Sequence, residues 1–152
     1  KSKLTLLRET IKTDNKINIM IAKSLIKKGF KKIGVLGLSY KGDLKVDILS
    51  PVIPFINYLK LKNIKVELFD PYYSAQEILK IAGVKSFKYP NELSKFDCIV
   101  ISIDHKEFKK LKEKTVKNLK KCKFILDNMK VWSKLQIPKH INYKISGDKN
   151  WI

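Results

Sequence analysis

The sequence predicts an α/β fold, namely a Rossmann-like three-layer domain with a mainly parallel sheet of five or six strands, preceded by a long N-terminal helix. Two observations support this prediction. Short apolar segments alternate with amphipathic helical segments from residue 31 onward, which is typical of βαβ units with right-handed crossovers. In addition, Ile99, Val100 and Ile101 have polar neighbours only at the ends of their segment, as expected of a strand buried on both faces.

The first element is predicted to be a helix over residues 4–28. Its apolar residues recur every three or four positions, and they include Ile17, Met20, Ile21, Leu25 and Ile26. Gly29, directly after two lysines, is a typical residue for the end of a helix. The apolar stripe extends beyond what one small domain needs to cover. We therefore expect residues around Ile11–Ile21 to contact a second copy of the chain or another domain.

Six further segments are predicted to be strands and three to be helices. The strands are Lys32–Leu38, Lys65–Phe69, Ser86–Tyr89, Cys98–Ile103, Phe124–Asp127 and Tyr143–Ile145. The helices are Ser50–Lys62, Ser74–Ala82 and Lys106–Leu119. The first strand, which contains Val35, should lie in the centre of the sheet. Because ligands of such sheets bind beyond the carboxyl ends of the strands, the candidate loops are Ser39–Asp47, Asp70–Tyr73 and Ser102–His105.

The loop after the first strand carries the most informative motif. It begins with Gly-Leu-Ser-Tyr-Lys at positions 37–41, and Ser50 and Pro51 suit the N-cap and first position of the helix that follows. Backbone N–H groups at a helix start lack internal partners, and the helix dipole makes that end positive. The combination predicts a site for an anionic ligand at this helix start.

The formal net charge is +19, yet Arg8 is the only arginine among the 33 basic residues. Base readout and bidentate phosphate contacts favour arginine, and the lysines are scattered through every segment. We therefore interpret the charge as a solvated surface that attracts small anions, and we do not expect a nucleic-acid partner. No apolar segment reaches the roughly 18 residues of a membrane span, and no signal peptide is recognisable, so the cytoplasm is the expected compartment.

The glycine fingerprint of dinucleotide-binding loops is missing, because Gly34, Gly37 and Gly42 have the wrong spacing. Asp70 ends the second strand, where true NAD-binding domains contact the ribose. Pro71 follows it directly, and a turn-capping role is the better interpretation.

The remaining candidates for chemistry are also better explained by structure. Cys98 and Cys122 fit neither a metal-binding spacing nor a disulfide framework, so we expect both to be packing residues. His105 follows a strand without a paired nucleophile, so a structural role is expected. His140 lies in a predicted loop and indicates nothing. No catalytic residue and no metal site is predicted.

The order of motifs resembles the C-terminal UDP-binding domain of the UDP-glucose/GDP-mannose dehydrogenase family, the nucleotide-sugar 6-dehydrogenases. That family has a strand ending in Gly-Leu-Ala-Phe-Lys and then Ser-Pro at a helix start, similar to positions 37–41 and 50–51 here. Its second strand runs into Asp-Pro, similar to positions 70–71. Its fourth strand ends in Thr-Glu-His/Trp-x-x-Phe and its fifth in Asp-Gly-Arg-Asn, similar to positions 103–108 and 127–130.

The resemblance spans about residues 8–146 and implies a division of the chain. Residues 1–29 are similar to the C-terminal part of the family's central dimerisation helix, and residues 30–152 to its UDP-sugar-binding domain. Tyr40 and Lys41 match the positions that help bind the UDP part of the substrate. Two family arginines align with Ile48 and Met129, and neighbouring Lys45 and Lys130 can restore positive charge without the bidentate fork of arginine.

The resemblance also implies partners. The complete enzyme is a homodimer that oxidises the C6 alcohol of a UDP-sugar to a carboxylate, and its N-terminal domain holds NAD and the thiol nucleophile. This chain alone is then inactive and has no cofactor bound. Two alternatives stay open: a non-catalytic dimerisation or regulatory module of the same fold that has lost ligand binding, and a polyanion-binding domain that uses the positive field.

Overall fold

The computed structural model describes residues 2–147, with side chains described for residue 13 and for residues 15–147. The helices are α1 (Ser2–Lys27), α2 (Val52–Leu61), α3 (Ala75–Ala82), α4 (Lys106–Lys109) and α5 (Glu113–Lys117). The strands are β1 (Lys32–Leu36), β2 (Lys65–Phe69), β3 (Lys85–Ser86), β4 (Cys98–Ile101), β5 (Phe124–Asp127) and β6 (Asn142–Ile145). A short 3-10 turn lies at Leu93–Lys95.

The six strands form one sheet in the order β3-β2-β1-β4-β5-β6, and every pair is parallel. The order reverses between β1 and β4, which places the predicted ligand edge at the loops after these two strands. β1 lies inside the sheet, with β2 on one side and β4 on the other, as the sequence predicted. The α/β class, the parallel sheet and the preceding helix are thus confirmed.

The sheet has an apolar core on each face, because successive side chains of a strand point to opposite sides. Val100 packs with α1, α2 and α3, whereas its neighbours Ile99 and Ile101 pack with α4, α5 and the residues after β5. Gly34 in β1 leaves room on the second face for Phe96, whose ring lies 2.5 Å from where a Cβ would stand. The second half of α1 is part of the first core through Ile21, Ala22 and Leu25.

The most distinct error of the sequence prediction concerns the single helix expected over residues 106–119. The structure has two short helices instead, and Lys112 between them is extended (φ −82°, ψ 143°). The buried positions are Phe108, Leu111, Val116 and Leu119. These four positions would also share one face of a continuous helix, so the pattern of apolar residues does not reveal the break.

Three strand boundaries also differ. β1 ends at Leu36 and not at Leu38, because Gly37 adopts φ +99° and turns the chain out of the sheet. β4 ends at Ile101 and not at Ile103. β3 pairs only through Lys85 and Ser86, since Lys88 beyond them enters a turn in which its N–H donates to the Glu92 carboxylate at 2.9 Å.

Candidate functional site

Asp70 organises the loops at the carboxyl edge of the sheet. Its side chain is fully buried, and Oδ2 accepts hydrogen bonds from Leu38 N at 2.7 Å and from Ser39 N at 3.0 Å. The Ser39 hydroxyl lies 3.2 Å from the same oxygen. Oδ1 accepts from Tyr72 N at 2.9 Å, which confirms the predicted turn-capping role. The carboxylate therefore joins the end of β2 to the start of the loop after β1.

Burial raises the pKa of Asp70, but the hydrogen bonds from His105, Tyr72, Leu38 and Ser39 outweigh that effect and hold the pKa below its ordinary value of 3.8. The carboxylate is therefore ionised at neutral pH. Five donors surround one buried negative charge, which is the arrangement that makes a buried carboxylate stable.

His105 joins the same carboxylate to the middle of the loop. Its ring is fully buried, with Nε2 at 3.0 Å from Asp70 Oδ2 and Nδ1 at 2.8 Å from Asp43 N. A backbone N–H can only donate, so Nδ1 accepts and the ring proton is on Nε2. His105 thus has a structural role, as predicted, because its ring links the Asp70 carboxylate to the backbone N–H of Asp43.

Asp43 closes the loop against the start of α4. Its Oδ1 accepts from Lys106 N at 2.9 Å, and its Oδ2 lies 3.6 Å from Lys106 Nζ. These contacts, led by the backbone hydrogen bond, lower the pKa of Asp43. Asp43 has φ +59°, a conformation that aspartate tolerates better than most residues. The loops after β1 and β4 are thus in direct contact.

A second strand-ending aspartate organises the loop after β5. Asp127 is fully buried; Oδ1 accepts from Met129 N at 3.1 Å and Val131 N at 3.0 Å, and Oδ2 from Trp132 N at 2.7 Å. The Tyr143 hydroxyl on β6 donates to Oδ2 at 2.7 Å. This cage leaves Lys130 at the tip of the turn, exposed, with φ +58°.

The structure places the predicted ligand residues as follows. Tyr40 is 60% exposed and Lys41 is exposed, and both lie in the loop held by Asp70 and His105. With the described residues, neither Lys41 nor Lys130 forms an ion pair. Lys45 is engaged, because its Nζ lies 2.5 Å from Glu77 Oε1 and 5.1 Å from the centre of the Tyr73 ring. The hydrogen bond from Lys45 lowers the pKa of Glu77 to about 2.

The anion site expected at the start of α2 is not supported. Helix α2 begins at Val52, whose N–H lies 3.3 Å from the Ser50 hydroxyl, and Ile53 N–H donates to the Ser50 carbonyl at 3.3 Å. Pro51 and Pro54 have no N–H to offer. The N-cap of α2 is Pro51 and not the predicted Ser50, and the first turn has no backbone N–H left for a ligand.

A small cavity of about 30 Å³ lies at the strand-order reversal, on the face covered by α1 and α2. It is lined by Asn18, Ile21, Val35, Pro51, Val52, Phe55, Val100, Ser102 and Asn128. Neither Tyr40 nor Lys41 contributes to it, and its volume accommodates about two water molecules and no nucleotide. The predicted residues therefore lie on an open edge and not in this cavity.

Neither a metal site nor a membrane-spanning helix is found among the residues that the structure describes. Residues 2–147 contain no group of three or more histidine, cysteine or acidic side chains that could hold a metal ion. Among the helices described, none is both long and apolar enough to cross a bilayer. Cys98 and Cys122 are buried free thiols, and burial raises the pKa of both.

The sequence prediction missed the hydrogen-bonding roles of Asp43 and Asp127, and for Asp70 it gave the turn-capping role but not the bonds to the loop after β1 and to His105. A signal was present for two of them, because Asp70 follows and Asp127 ends an apolar strand that is buried on the sheet. An acidic residue at such a position is buried and must find donors. No comparable signal identifies Asp43, whose partners His105 and Lys106 lie more than 60 positions away.

A parallel sheet in the order 3-2-1-4-5-6, with polar loops gathered at its carboxyl edge, defines a doubly wound α/β domain of the kind that binds nucleotides. The model of the UDP-glucose/GDP-mannose dehydrogenase family, UDP binding domain, matches residues 34–134. The chain therefore belongs to this family, and the resemblance noted in the sequence is confirmed.

Similar proteins include enzymes for several UDP-sugars. The UDP-N-acetyl-D-mannosamine dehydrogenase of Methanococcus aeolicus is 29% identical over 150 residues, which cover 85% of this chain and 31% of that protein. The UDP-glucose 6-dehydrogenase of Rickettsia prowazekii is 34% identical over 100 residues, covering 64% of this chain and 23% of that protein. The chain thus spans less than a third of the length of these curated relatives.

A solved structure has the same fold. The UDP-N-acetyl-mannosamine dehydrogenase Cap5O from S. aureus superposes with a TM-score of 0.63 at 24% identity. The match covers 86% of this chain and 30% of that one.

Proposed function

We propose that this chain is the nucleotide-sugar-binding domain of a 6-dehydrogenase for UDP-glucose or a UDP-N-acetylhexosamine. The complete enzyme oxidises the C6 alcohol of the sugar to a carboxylate with NAD. Membership of the family and the UDP-sugars named for its relatives support this proposal. In the complete enzyme a separate N-terminal domain binds NAD and supplies the catalytic thiol, and α1 contributes to a homodimer.

The residues of this chain do not fit NAD. The loop from β1 to α2 lacks the glycine fingerprint, and the first turn of α2 has no free N–H for a pyrophosphate. This supports a division of labour in which the present domain binds the nucleotide sugar and another part of the protein binds the cofactor.

One observation carries the assignment of the site. The loop after β1 is anchored by buried hydrogen bonds at Ser39 and at Asp43, and Tyr40 and Lys41 between them are exposed. An ammonium and an aromatic face on an anchored backbone suit a diphosphate and a uracil ring. Lys130, on the loop after β5, adds a second ammonium at the same edge of the sheet.

The affinity for UDP should be low. Ile48 and Met129, which stand where the family has arginines, are 76% and 46% exposed and cannot pair with phosphate. Each missing charge-assisted hydrogen bond is worth roughly 1.5–3 kcal/mol, or about one to two powers of ten in affinity. We therefore expect a dissociation constant on the order of 0.1–1 mM.

The test is calorimetric titration of UDP into the wild-type chain and into Lys41→Ala, Lys130→Ala and Lys121→Ala. Lys121 is exposed and lies before β5, at the opposite edge of the sheet, so it is a control of equal charge change. Lys41→Ala should weaken binding about tenfold, Lys130→Ala somewhat less, and Lys121→Ala not measurably. Lys45→Ala should have a smaller effect than Lys41→Ala, because Lys45 already pairs with Glu77.

Equal binding by wild type and Lys41→Ala would remove Lys41 from the site. Absence of binding at millimolar UDP would favour the second candidate, a dimerisation or regulatory module that has lost its ligand. The exposed apolar side chains of Ile48 and Met129 are the observation that supports this candidate. Sedimentation equilibrium then decides whether the chain self-associates through α1, where Ile17 and Met20 are about half exposed.

A further inference from the structure

The buried carboxylate of Asp70 defines the protonation state of its neighbour. Oδ2 lies within 3.2 Å of Leu38 N, Ser39 N, the Ser39 hydroxyl and His105 Nε2. The two backbone N–H groups can only donate, so this oxygen serves as an acceptor throughout. A His105 ring with a lone pair on Nε2 would face that charge without a proton between them. The arrangement therefore requires a proton on Nε2.

The other ring nitrogen of His105, Nδ1, must accept a hydrogen bond, whereas Nε2 must donate one. Asp43 N lies 2.8 Å from Nδ1 and donates its N–H to it, so Nδ1 must carry a lone pair and no proton. Only the neutral ring with its proton on Nε2 satisfies both neighbours. The rings of Tyr72 and Phe108, at 5.1 and 5.3 Å, pack on the imidazole, and the Asp43 carboxylate lies 3.9 Å from Nδ1.

This arrangement fixes both ends of a short segment of chain. Ser39 N is bound to Asp70, and Asp43 N is bound to His105, which is itself bound to Asp70. Only residues 40–42 lie between the two anchors. Gly42 passes so close to Asp104 that a Cβ would clash with it, and Tyr40 N donates to Val46 O at 2.6 Å. The backbone of Tyr40 and Lys41 thus has little freedom.

We propose that Asp70 and His105 are positioning residues for the nucleotide: the neutral imidazole, with its proton on Nε2, transmits the position of Asp70 to the loop that presents Tyr40 and Lys41. This inference rests on the proposed function of that loop. Neither residue contacts the ligand. Their effect on affinity comes from holding the backbone that carries Tyr40 and Lys41 in place before the ligand binds.

Two substitutions separate the two hydrogen bonds of the ring. His105→Gln keeps an amide donor where Nε2 stands and loses the acceptor for Asp43 N–H. His105→Asn keeps an acceptor where Nδ1 stands and loses the donor to Asp70. The readouts are the hydrogen-exchange rate of the Asp43 amide, the ¹⁵N shifts of the ring nitrogens, and the dissociation constant of UDP. The amide of Asn142, which bonds to Lys123 O in the distant β5–β6 pair, reports global opening.

We expect His105→Gln to speed exchange of the Asp43 amide at least tenfold, with Asn142 unchanged, and to weaken UDP binding about tenfold. His105→Asn should keep most of the Asp43 protection, but it loses the link to Asp70, so it should also weaken UDP binding, although less than His105→Gln does. Wild-type ring shifts should show a protonated Nε2 and an unprotonated Nδ1. A proton on Nδ1, or equal UDP binding by both variants and wild type, would overturn the proposal.

Failure of the proposed function gives a different result. If wild type does not bind millimolar UDP, the ligand assignment fails, and the positioning role fails with it as a role in UDP binding. The exchange rate of the Asp43 amide and the ¹⁵N shifts of the His105 ring then show only whether the hydrogen bonds from Asp70 through His105 to Asp43 fix the loop. If His105→Gln does not fold, the wild type decides: saturating UDP should slow exchange of the Asp43 amide, and an unchanged rate contradicts the inference.

Discussion

The four hydrogen bonds that surround the Asp127 carboxylate predict how much stability the chain loses when one of the partners is changed. The carboxylate accepts three backbone N–H groups from the turn that carries Lys130, and one phenolic O–H from Tyr143 on β6. Tyr143→Phe removes only that hydroxyl. Asp127→Asn removes the charge and turns an amide NH₂ toward groups that are themselves donors.

The two changes should differ in magnitude. A hydrogen bond to a charged group contributes about 1.5–3 kcal/mol, so Tyr143→Phe should lower the free energy of unfolding by about 1.5 kcal/mol because Asp127 keeps three donors. Asp127→Asn should cost about 3 kcal/mol, since at least one buried donor loses its acceptor. For a chain of this size, each kcal/mol shifts the melting temperature by roughly 2–4 °C.

The assay is urea unfolding followed by circular dichroism, with the double variant completing a thermodynamic cycle. The coupling energy between Asp127 and Tyr143 should be about 1 kcal/mol. Tyr58→Phe, at a half-buried tyrosine of α2, is the control and should change stability by less than about 0.5 kcal/mol. A cost below 0.5 kcal/mol for Tyr143→Phe, or a coupling near zero, would refute the cage as a source of stability.

Two further predictions concern the loop after β1. Gly37→Ala should cost roughly 2 kcal/mol more than Gly29→Ala in urea unfolding, because both glycines have positive φ but only at Gly37 would a Cβ collide with Ile103; equal costs would contradict this. Asp70→Asn should destabilise most at neutral pH, and its difference from wild type should shrink as the pH falls below 3.8. The folded-state pKa of Asp70 is lowered, so the wild type loses the stabilisation by this carboxylate when it is protonated. If the difference in unfolding free energy between the variant and the wild type stayed constant into acid, the role given to the Asp70 carboxylate would be wrong.

The strands were the most predictable part of the fold. The limits of β2 and β5 agree with the sequence prediction. β5 is an apolar run that is buried on both faces, whereas β2 alternates between buried and more exposed residues. The break between α4 and α5 was not predicted. Phe108, Leu111, Val116 and Leu119 would lie on one face of a continuous helix, so their spacing conceals the break.

The candidate site was predictable in location but not in its contacts. Its loops could be placed because parallel strands deliver them to one edge. The engagement of Lys45 by Glu77 could not be foreseen, since the partner comes from α3, 32 residues away. The same holds for His105 and Asp43, which are 62 residues apart. A sequence pattern specifies which face a residue takes, whereas pairing between loops depends on the assembled sheet.

Under the proposed function, the two buried aspartates position the loops that would bind the anion without a free helix start. Asp70 directly follows β2 and Asp127 ends β5, on either side of the β1–β4 pair. Asp70 binds backbone N–H groups of the loop after β1, and Asp127 binds those of the loop after its own strand. Backbone donors occupy both carboxylates, and Lys41 and Lys130 form no ion pair with the described residues, whereas Lys45 pairs with Glu77. Recognition then depends on ammonium groups held by a rigid backbone. Such contacts weaken with added salt, so the affinity for UDP should fall as ionic strength rises.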